Sequence, residues 1–289
     1  MMTTGGSDKP WGAGVRGGDA TPFGRLMALD RPLVMGVLNV TPDSFSDGGS
    51  FVDPRVALAH ARQMIQEGAD IIDVGAESTR PYGGAKPVML EEELARLQPV
   101  LPAVAQLGVP VSIDTIKPEV ALWALGQGAS IVNDVWGLQR EPNMARVVAQ
   151  HNVPVVVMHN RYKADPTVNI ISDINAFFAH SLDLAHKAGI ALEKVVLDPG
   201  IGFGKTAEQS MEAIASLDAF KQFGLPILIG ASRKRFIDTV SPSEPMERIG
   251  GSVAAHVMAF LKGAKIIRTH DVAETIQALR VAAAIRDAQ

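Results

Sequence analysis

The sequence predicts an α/β fold, a (β/α)8 TIM barrel forming a single domain, on three observations. From Leu33 onward, short β-branched runs alternate with longer segments of helical periodicity, about eight times, which is the pattern of parallel strands joined by crossover helices. The 289 residues suit one barrel of roughly 250 residues with a short extension. Polar residues fit for chemistry follow almost every apolar run, as expected where all strand ends share one face. A doubly wound open sheet is the competing architecture, but no linker or change of composition divides the units.

The first strand is expected over Leu33–Leu38. It ends abruptly in Asn39-Val40-Thr41-Pro42-Asp43-Ser44-Phe45-Ser46-Asp47-Gly48-Gly49, a polar loop with an amide, hydroxyls, carboxylates and one aromatic ring, and such loops on rigid strands are common places for binding groups. Asp53-Pro54 caps a helix on which Leu58, Ala61 and Ile65 recur at helical spacing until Gly68. A second strand, Ile71–Val74, runs into Glu77-Ser78-Thr79-Arg80. Glu91-Glu92-Glu93 places negative charge in a first helical turn, with Leu94, Leu97, Leu101 and Val104 on one face up to Gly108.

Further strands are predicted over Pro110–Ile113, Ile131–Val132, Val153–Val157, Lys194–Leu197, Pro226–Ile229 and Ala264–Ile267, with helices from Asp173 to Ala188, Ala207 to Phe220 and Asp271 to Ile285. The strand ends carry Asp114-Thr115, Asn133-Asp134, Met158-His159-Asn160, Asp198, Ser232-Arg233-Lys234 and Arg268-Thr269-His270.

Composition narrows the function. A hydrophobic content of 47% with 20% charged residues supplies a large core, and a net charge of −4 gives no bias toward nucleic acid. With no cysteine, disulfides and thiolate chemistry are excluded. Residues 1–22 read as a flexible leader ahead of a barrel domain over 23–289, and no apolar run approaches the roughly 20 residues that span a bilayer. The expectation is a soluble cytoplasmic protein.

The strand ends bring together three carboxylates (Asp73, Asp114, Asp198), two amides (Asn39, Asn133) and the cations Arg80, Arg233, Lys234 and Arg268. Charges at that density must pair or meet a ligand. A hydrogen-bonding heterocycle with a phosphate tail would satisfy both: carboxylates accept from an aminopyrimidine edge, and Arg268, His270 and helix amides near Asp271 meet the anion. Asp73 suits a structural role equally well, whereas Asp114 and Asp198 end apolar strands with no evident local basic partner. Asn133 and His159 gain interest only from the shared face. His60, His151, His180, His186 and His256 read as ordinary helix or loop residues.

Gly200-Ile201-Gly202-Phe203-Gly204-Lys205-Thr206 fails the spacing of both the P-loop and the dinucleotide fingerprint. Its glycines instead suit a close turn around a flat ligand, with Phe203 as a wall or a core residue. No HExxH or EF-hand pattern occurs, so no cage built from protein ligands alone is indicated.

Taken in order, Gly36–Gly49, Asp73–Pro81, Ser112–Thr115, Asn133–Asp134, Asp198–Lys205, Gly230–Lys234 and Arg268–Asp271 closely resemble the dihydropteroate synthase family of folate biosynthesis, from about Leu33 to about Ala282. The resemblance implies a (β/α)8 barrel that joins 6-hydroxymethyl-7,8-dihydropterin diphosphate to 4-aminobenzoate with Mg²⁺ assistance, releasing pyrophosphate and forming 7,8-dihydropteroate. It also implies a homodimer and sulfonamide inhibition. Carried over, Asp114, Asn133, Asp198 and Lys234 correspond to pterin recognition, with Met158 and Gly230 beside them and Arg268 stacked over the ring. Asn39, Arg268 and His270 correspond to the diphosphate and Mg²⁺ site. Thr79, Arg80, Pro81, Phe203 and Ser232 to Arg235 fall on the aminobenzoate side, and the first loop supplies Asp43, Ser44 and Phe45. Two departures stand out: the stretch Tyr82 to Pro87 is longer than in many relatives, and Arg235 replaces a common Ser.

Two rivals remain. A pterin-binding methyltransferase barrel would share the ring-binding groups but pass a methyl group to a corrinoid; the first loop and Ser232-Arg233-Lys234 argue for diphosphate departure instead. A non-catalytic pterin-binding paralogue would not need Asn39, Lys234, Arg268 and His270 intact. The two polar first loops are expected to become ordered only with both substrates and Mg²⁺.

Overall fold

The computed structural model describes residues 21–41, 53–77 and 88–288. Eight parallel strands run β1 Leu33–Asn39, β2 Ile71–Gly75, β3 Val111–Asp114, β4 Ile131–Asp134, β5 Val155–Met158, β6 Val195–Asp198, β7 Leu228–Ile229 and β8 Ile266–Thr269. Hydrogen-bonded neighbours follow the order β6-β5-β4-β3-β2-β1-β8-β7, and a parallel bridge from Leu197 to Ile227 closes the ring between β6 and β7. An open doubly wound sheet has two free edges and no such closure.

Helices on the outside are α1 Pro22–Met27, α2 Pro54–Glu67, α3 Leu90–Leu97, α4 Leu101–Val104, α5 Pro118–Gly126, α6 Pro142–His151, α7 Ile170–Ala188, α8 Ala207–Ala215, α9 Arg235–Val240, α10 Ile249–Leu261 and α11 Val272–Asp287. The expected punctuation holds for α2: the Asp53 carboxylate accepts from Arg55 N at 2.8 Å, and Gly68 ends the helix at φ 110°. On α2, Ala57, Ala61 and Met64 are fully buried, while Leu58 and Ile65 flank them. Three expected helices differ. The segment after Glu91 splits into α3 and α4, with Pro102 in the first turn of the second piece, where a missing N–H costs nothing. Helix α7 starts at Ile170 because Asn169 caps it by accepting from Ser172 N. Helix α8 stops at Ala215 and continues as a 3₁₀ segment, Leu217–Phe223. No helix among the described residues is long and apolar enough to cross a membrane.

Strand periodicity positions the site. Side chains alternate between the barrel interior and the helices. A lower interior layer of Leu33, Met35, Ile71, Ile131, Val156, Val196, Leu228 and Ile266 packs with Phe23 and Met27 of α1, which close the barrel floor. Two residues further along the same strands, the next inward positions are Asp73, Asn133, Met158, Asp198, Gly230 and Arg268. The strands also run past most of the ends read from the sequence, so that Asn39, Asp114, Asn133, Met158 and Asp198 lie within them. Pattern reading stops at the first polar residue, but backbone pairing does not.

Candidate active site

At the centre of the upper layer, one guanidinium lies between two carboxylates. Arg268 Nε donates to Asp73 Oδ2 at 2.6 Å, and its Nη2 donates to Asp114 Oδ2 at 2.8 Å. Asn133 Nδ2 donates to the same Asp73 oxygen at 3.1 Å. Asp73 therefore bonds to two residues of the candidate site, Arg268 and Asn133. Arg268 is the basic partner that local sequence could not show for Asp114, because β8 and β3 come together only through barrel closure. Burial pushes the Asp114 carboxyl up to about 7 despite the nearby Arg268. Burial opposes the Arg268 charge, but Asp73 and Asp114 prevail and hold its pKa above the ordinary value. Among the described residues, Asp73 Oδ1 and Asp114 Oδ1 are buried without a hydrogen-bond partner. Each is an acceptor that a donor within this pocket would satisfy.

On the β6 side, Asp198 Oδ1 accepts from Gly200 N at 2.7 Å, and burial raises this carboxyl to about 6. Met158, Val135 and Phe203 form an apolar wall at the mouth, and Lys234 Nζ lies 4.0 Å from the centre of the Phe203 ring. The glycine-rich turn is tight for a different reason from the expected one. Gly200 and Gly204 adopt φ of 67° and 55°, and a Cβ there would meet His159 O at 1.9 Å and Arg161 O at 2.4 Å. The glycines let this turn pass over the β5 loop; their close approach is to protein backbone.

At the rim, Ser232 Oγ lies 3.0 Å from His270 Nδ1 and accepts from His270 N at 3.2 Å, joining the β7 and β8 loops. Arg233 is not a pocket cation: its Nη2 meets Asp271 Oδ1 at 2.5 Å and its Nε meets Oδ2 at 3.0 Å. Asp271 N donates to Thr269 Oγ1, so the start of α11 carries an ion-paired acid where an anion contact was expected. Several other strand-end residues serve the loops. Asp134 accepts from Trp136 N and Leu138 N. Thr115 donates to the buried Glu93, which also meets Lys117 at 2.6 Å; Glu93 is thus an interior ion-pair partner as well as a first-turn acid.

The fold therefore brings Asp114, Asn133, Asp198, Lys234, Arg268, Met158, Phe203, Gly230, Ser232 and His270 around one mouth, with the half-buried Asn39 at the end of β1 beside Gly75 of β2. Asp43, Ser44, Phe45, Thr79, Arg80 and Pro81 lie outside the described residues, as does the Tyr82 to Pro87 stretch. Sequence reasoning passed over Lys205, which is buried and bonded to His159 Nδ1 at 2.6 Å. The only signal was its place after three alternating glycines.

A parallel barrel with buried acids, an amide and an arginine on one face is the architecture of a pterin-binding enzyme, and the family model described as pterin binding enzyme matches residues 35–270. The chain is 46% identical over 254 residues to dihydropteroate synthase of Clostridium beijerinckii, covering 87% of this chain and 93% of that one. A crystal structure of dihydropteroate synthase from Clostridium difficile in the presence of pteroic acid superposes with a TM-score of 0.85 at 46% identity, covering 89% of this chain and 97% of that one. The Xanthomonas albilineans enzyme with 4-aminobenzoic acid gives 0.85 at 44% identity, with coverage of 89% and 94%. The chain belongs to the dihydropteroate synthase family, and with it to the transferases.

Proposed function

We propose that this chain condenses 6-hydroxymethyl-7,8-dihydropterin diphosphate with 4-aminobenzoate, giving 7,8-dihydropteroate and pyrophosphate. The observation that carries the reading is the inward layer of Asp114, Asn133, Asp198 and Arg268, with Asp73 Oδ1 and Asp114 Oδ1 buried and lacking donors. An aminopyrimidine edge supplies N–H groups in pairs, which suits such acceptors. Relatives solved with pteroic acid and with 4-aminobenzoic acid support the same substrates.

In this reading Asp114, Asn133, Asp198 and Lys234 grip the ring, and Arg268 stacks over it. Diphosphate leaves from a methylene conjugated to the pterin, so a dissociative path through a stabilised cation is open, and the aniline nitrogen, unprotonated at neutral pH, attacks without a strong base. Arg268 and His270 stabilise charge on the departing group. Phe203 and Ser232 face the aminobenzoate, the side to which the family resemblance also assigns Thr79, Arg80, Pro81 and Phe45. A guanidinium above a developing cation is repulsive; Asp114 and Asp198 offset it, and diphosphate draws the Arg268 head aside. Asp114 then stabilises the cation as well as holding the ring. Asp114→Asn should slow the single-turnover chemical step, and weaker pterin binding with an unchanged chemical rate would refute that second role.

Mg²⁺ suits the donor set. Among the described residues no cluster of three acidic or histidine groups could cage a metal, whereas Asn39 offers a hard amide oxygen at the end of β1, adequate for an ion that keeps waters and substrate phosphate oxygens as ligands. Bound there, Mg²⁺ would neutralise charge on the leaving diphosphate.

We also propose a homodimer in the cytoplasm. Helix α10 exposes Ala254, Met258 and Leu261 at helical spacing, and the adjoining α11 exposes Val281 and Ile285. Outward apolar stripes on packed neighbouring helices mark an association surface. Sedimentation should give twice the chain mass, reduced to one by Met258→Asp with Ile285→Asp. Sulfonamides, as aminobenzoate mimics, should compete at the mouth. The central test is pyrophosphate release with and without 4-aminobenzoate; methyl transfer to a corrinoid, or pterin binding with no pyrophosphate released, overturns the reading.

A further inference from the structure

Beneath the Phe203 wall lies a buried ammonium that the proposed reaction does not use. Lys205 is almost fully enclosed, and three acceptors surround its Nζ: His159 Nδ1 at 2.6 Å, Gly200 O at 2.9 Å and Phe203 O at 3.1 Å. Burial lowers Lys205 to about 7; below that pH it is an ammonium with one N–H for each and no lone pair to accept with. His159 Nδ1 must therefore be the acceptor, which places the imidazole proton on Nε2, 3.0 Å from Asp173 Oδ2. Arg161 Nη1 donates to the same Asp173 oxygen at 2.9 Å. Burial, then the Lys205 charge, lowers His159 to about 3 and keeps it neutral.

The two carbonyls that Lys205 holds flank the turn that builds the pocket. Gly200, the first, donates its N–H to the Asp198 carboxylate; Phe203, the second, carries the ring beneath Lys234. His159 is itself tied to β6, its N–H donating to Asp198 O at 2.8 Å. We propose that Lys205 is a positioning residue for pterin recognition: from behind the pocket wall its ammonium fixes the turn that aims the Asp198 carboxylate and the Phe203–Lys234 pair. This rests on the reading that Asp198 and Lys234 bind the pterin. Loss of the ammonium leaves Phe203 O and His159 Nδ1 without that donor and Gly200 O with only the Phe203 N–H at 3.0 Å, and frees the turn to shift. Displacement of binding groups by about 1 Å costs on the order of 100-fold.

The test compares the intact protein with Lys205→Met and Lys205→Arg. Lys205→Met should raise the KM for pterin diphosphate by about 10- to 100-fold, with smaller losses in kcat, felt through Asp198, and in the KM for 4-aminobenzoate, felt through Phe203. Lys205→Arg, which keeps a cation of different shape, should recover only part of the loss. An unchanged pterin KM in a folded Lys205→Met variant overturns the proposal, as does an equal loss in all three constants. If neither variant folds, nitrogen-15 NMR of His159 in the unaltered protein decides: the neutral Nε2–H form should persist from pH 5 up to about 7, where Lys205 keeps its charge, and an Nδ1–H form or ordinary titration in that range removes Lys205 as its donor. Pyrophosphate release by the unaltered protein is measured first, so failure of the wider reading is distinguished from failure of this one.

Discussion

On the β2–β3–β4–β8 side of the mouth, charge is compensated by charge: Arg268 sits between Asp73 and Asp114, and one oxygen of each carboxylate is left without a donor. On the β5–β6 side, the buried Lys205 ends on two carbonyls and a neutral imidazole. The first arrangement has spare acceptors, so a ligand can add donors without breaking the ion pairs. In the second, each ammonium proton already has an acceptor, and the network can only hold. The difference separates groups built to trade partners from groups built to keep them.

The strongest challenge to that contrast is Asp73→Ala, which strips a buried guanidinium of one partner and leaves Asn133 Nδ2 without its acceptor. A loss of about 3–5 kcal/mol in denaturant unfolding is expected, and a change below about 1 kcal/mol would mean that Asp114 alone suffices. Next comes pH. Burial raises Asp114 to about 7 and Asp198 to about 6, and only the ionised forms accept N–H groups on both oxygens. kcat/KM for pterin diphosphate should therefore climb as pH rises through 6 to 7. Asp114→Asn should remove the upper part of that limb; a flat profile in the unaltered protein contradicts the assignment.

Asp173→Ala samples the other side. Its carboxylate is one-third exposed and touches His159 and Arg161, so water takes over part of its role and stability should fall by only about 1 kcal/mol. A loss as large as that for Asp73 would erase the distinction between the two networks. Ser232→Ala should have the smallest effect, about 0.5–1 kcal/mol in unfolding, with a modest rise in the KM for pterin diphosphate as His270 loses its hydroxyl neighbour.

The barrel was legible because β-branched runs such as Val155–Val157 are buried on both faces and read as continuous apolar segments. The chemistry at strand ends was legible for the same reason, since Asp114 and Asp198 interrupt such runs. Partner choice was not legible. Arg268 reaches Asp73 across 195 residues of sequence, and Arg233 meets Asp271 rather than a ligand only because the β7 and β8 loops are adjacent. Glu93 read only as a first-turn acid because helical position alone does not reveal that Thr115 and Lys117 stand opposite it. Lys205 was hidden because its glycine neighbours invite a nucleotide reading, and rejecting that reading leaves no local reason to ask what the lysine touches.

Phe23 and Met27 seal the end of the barrel remote from the site. Anything seated among the strands must then arrive and depart through the same opening. Under the proposed chemistry the bicyclic reactant lies deeper than its aromatic partner, so it is the first to enter, and a queue forms behind it. Pyrophosphate and the joined product leave by that same route, which makes the traffic order a property of the plugged end rather than of the reacting groups.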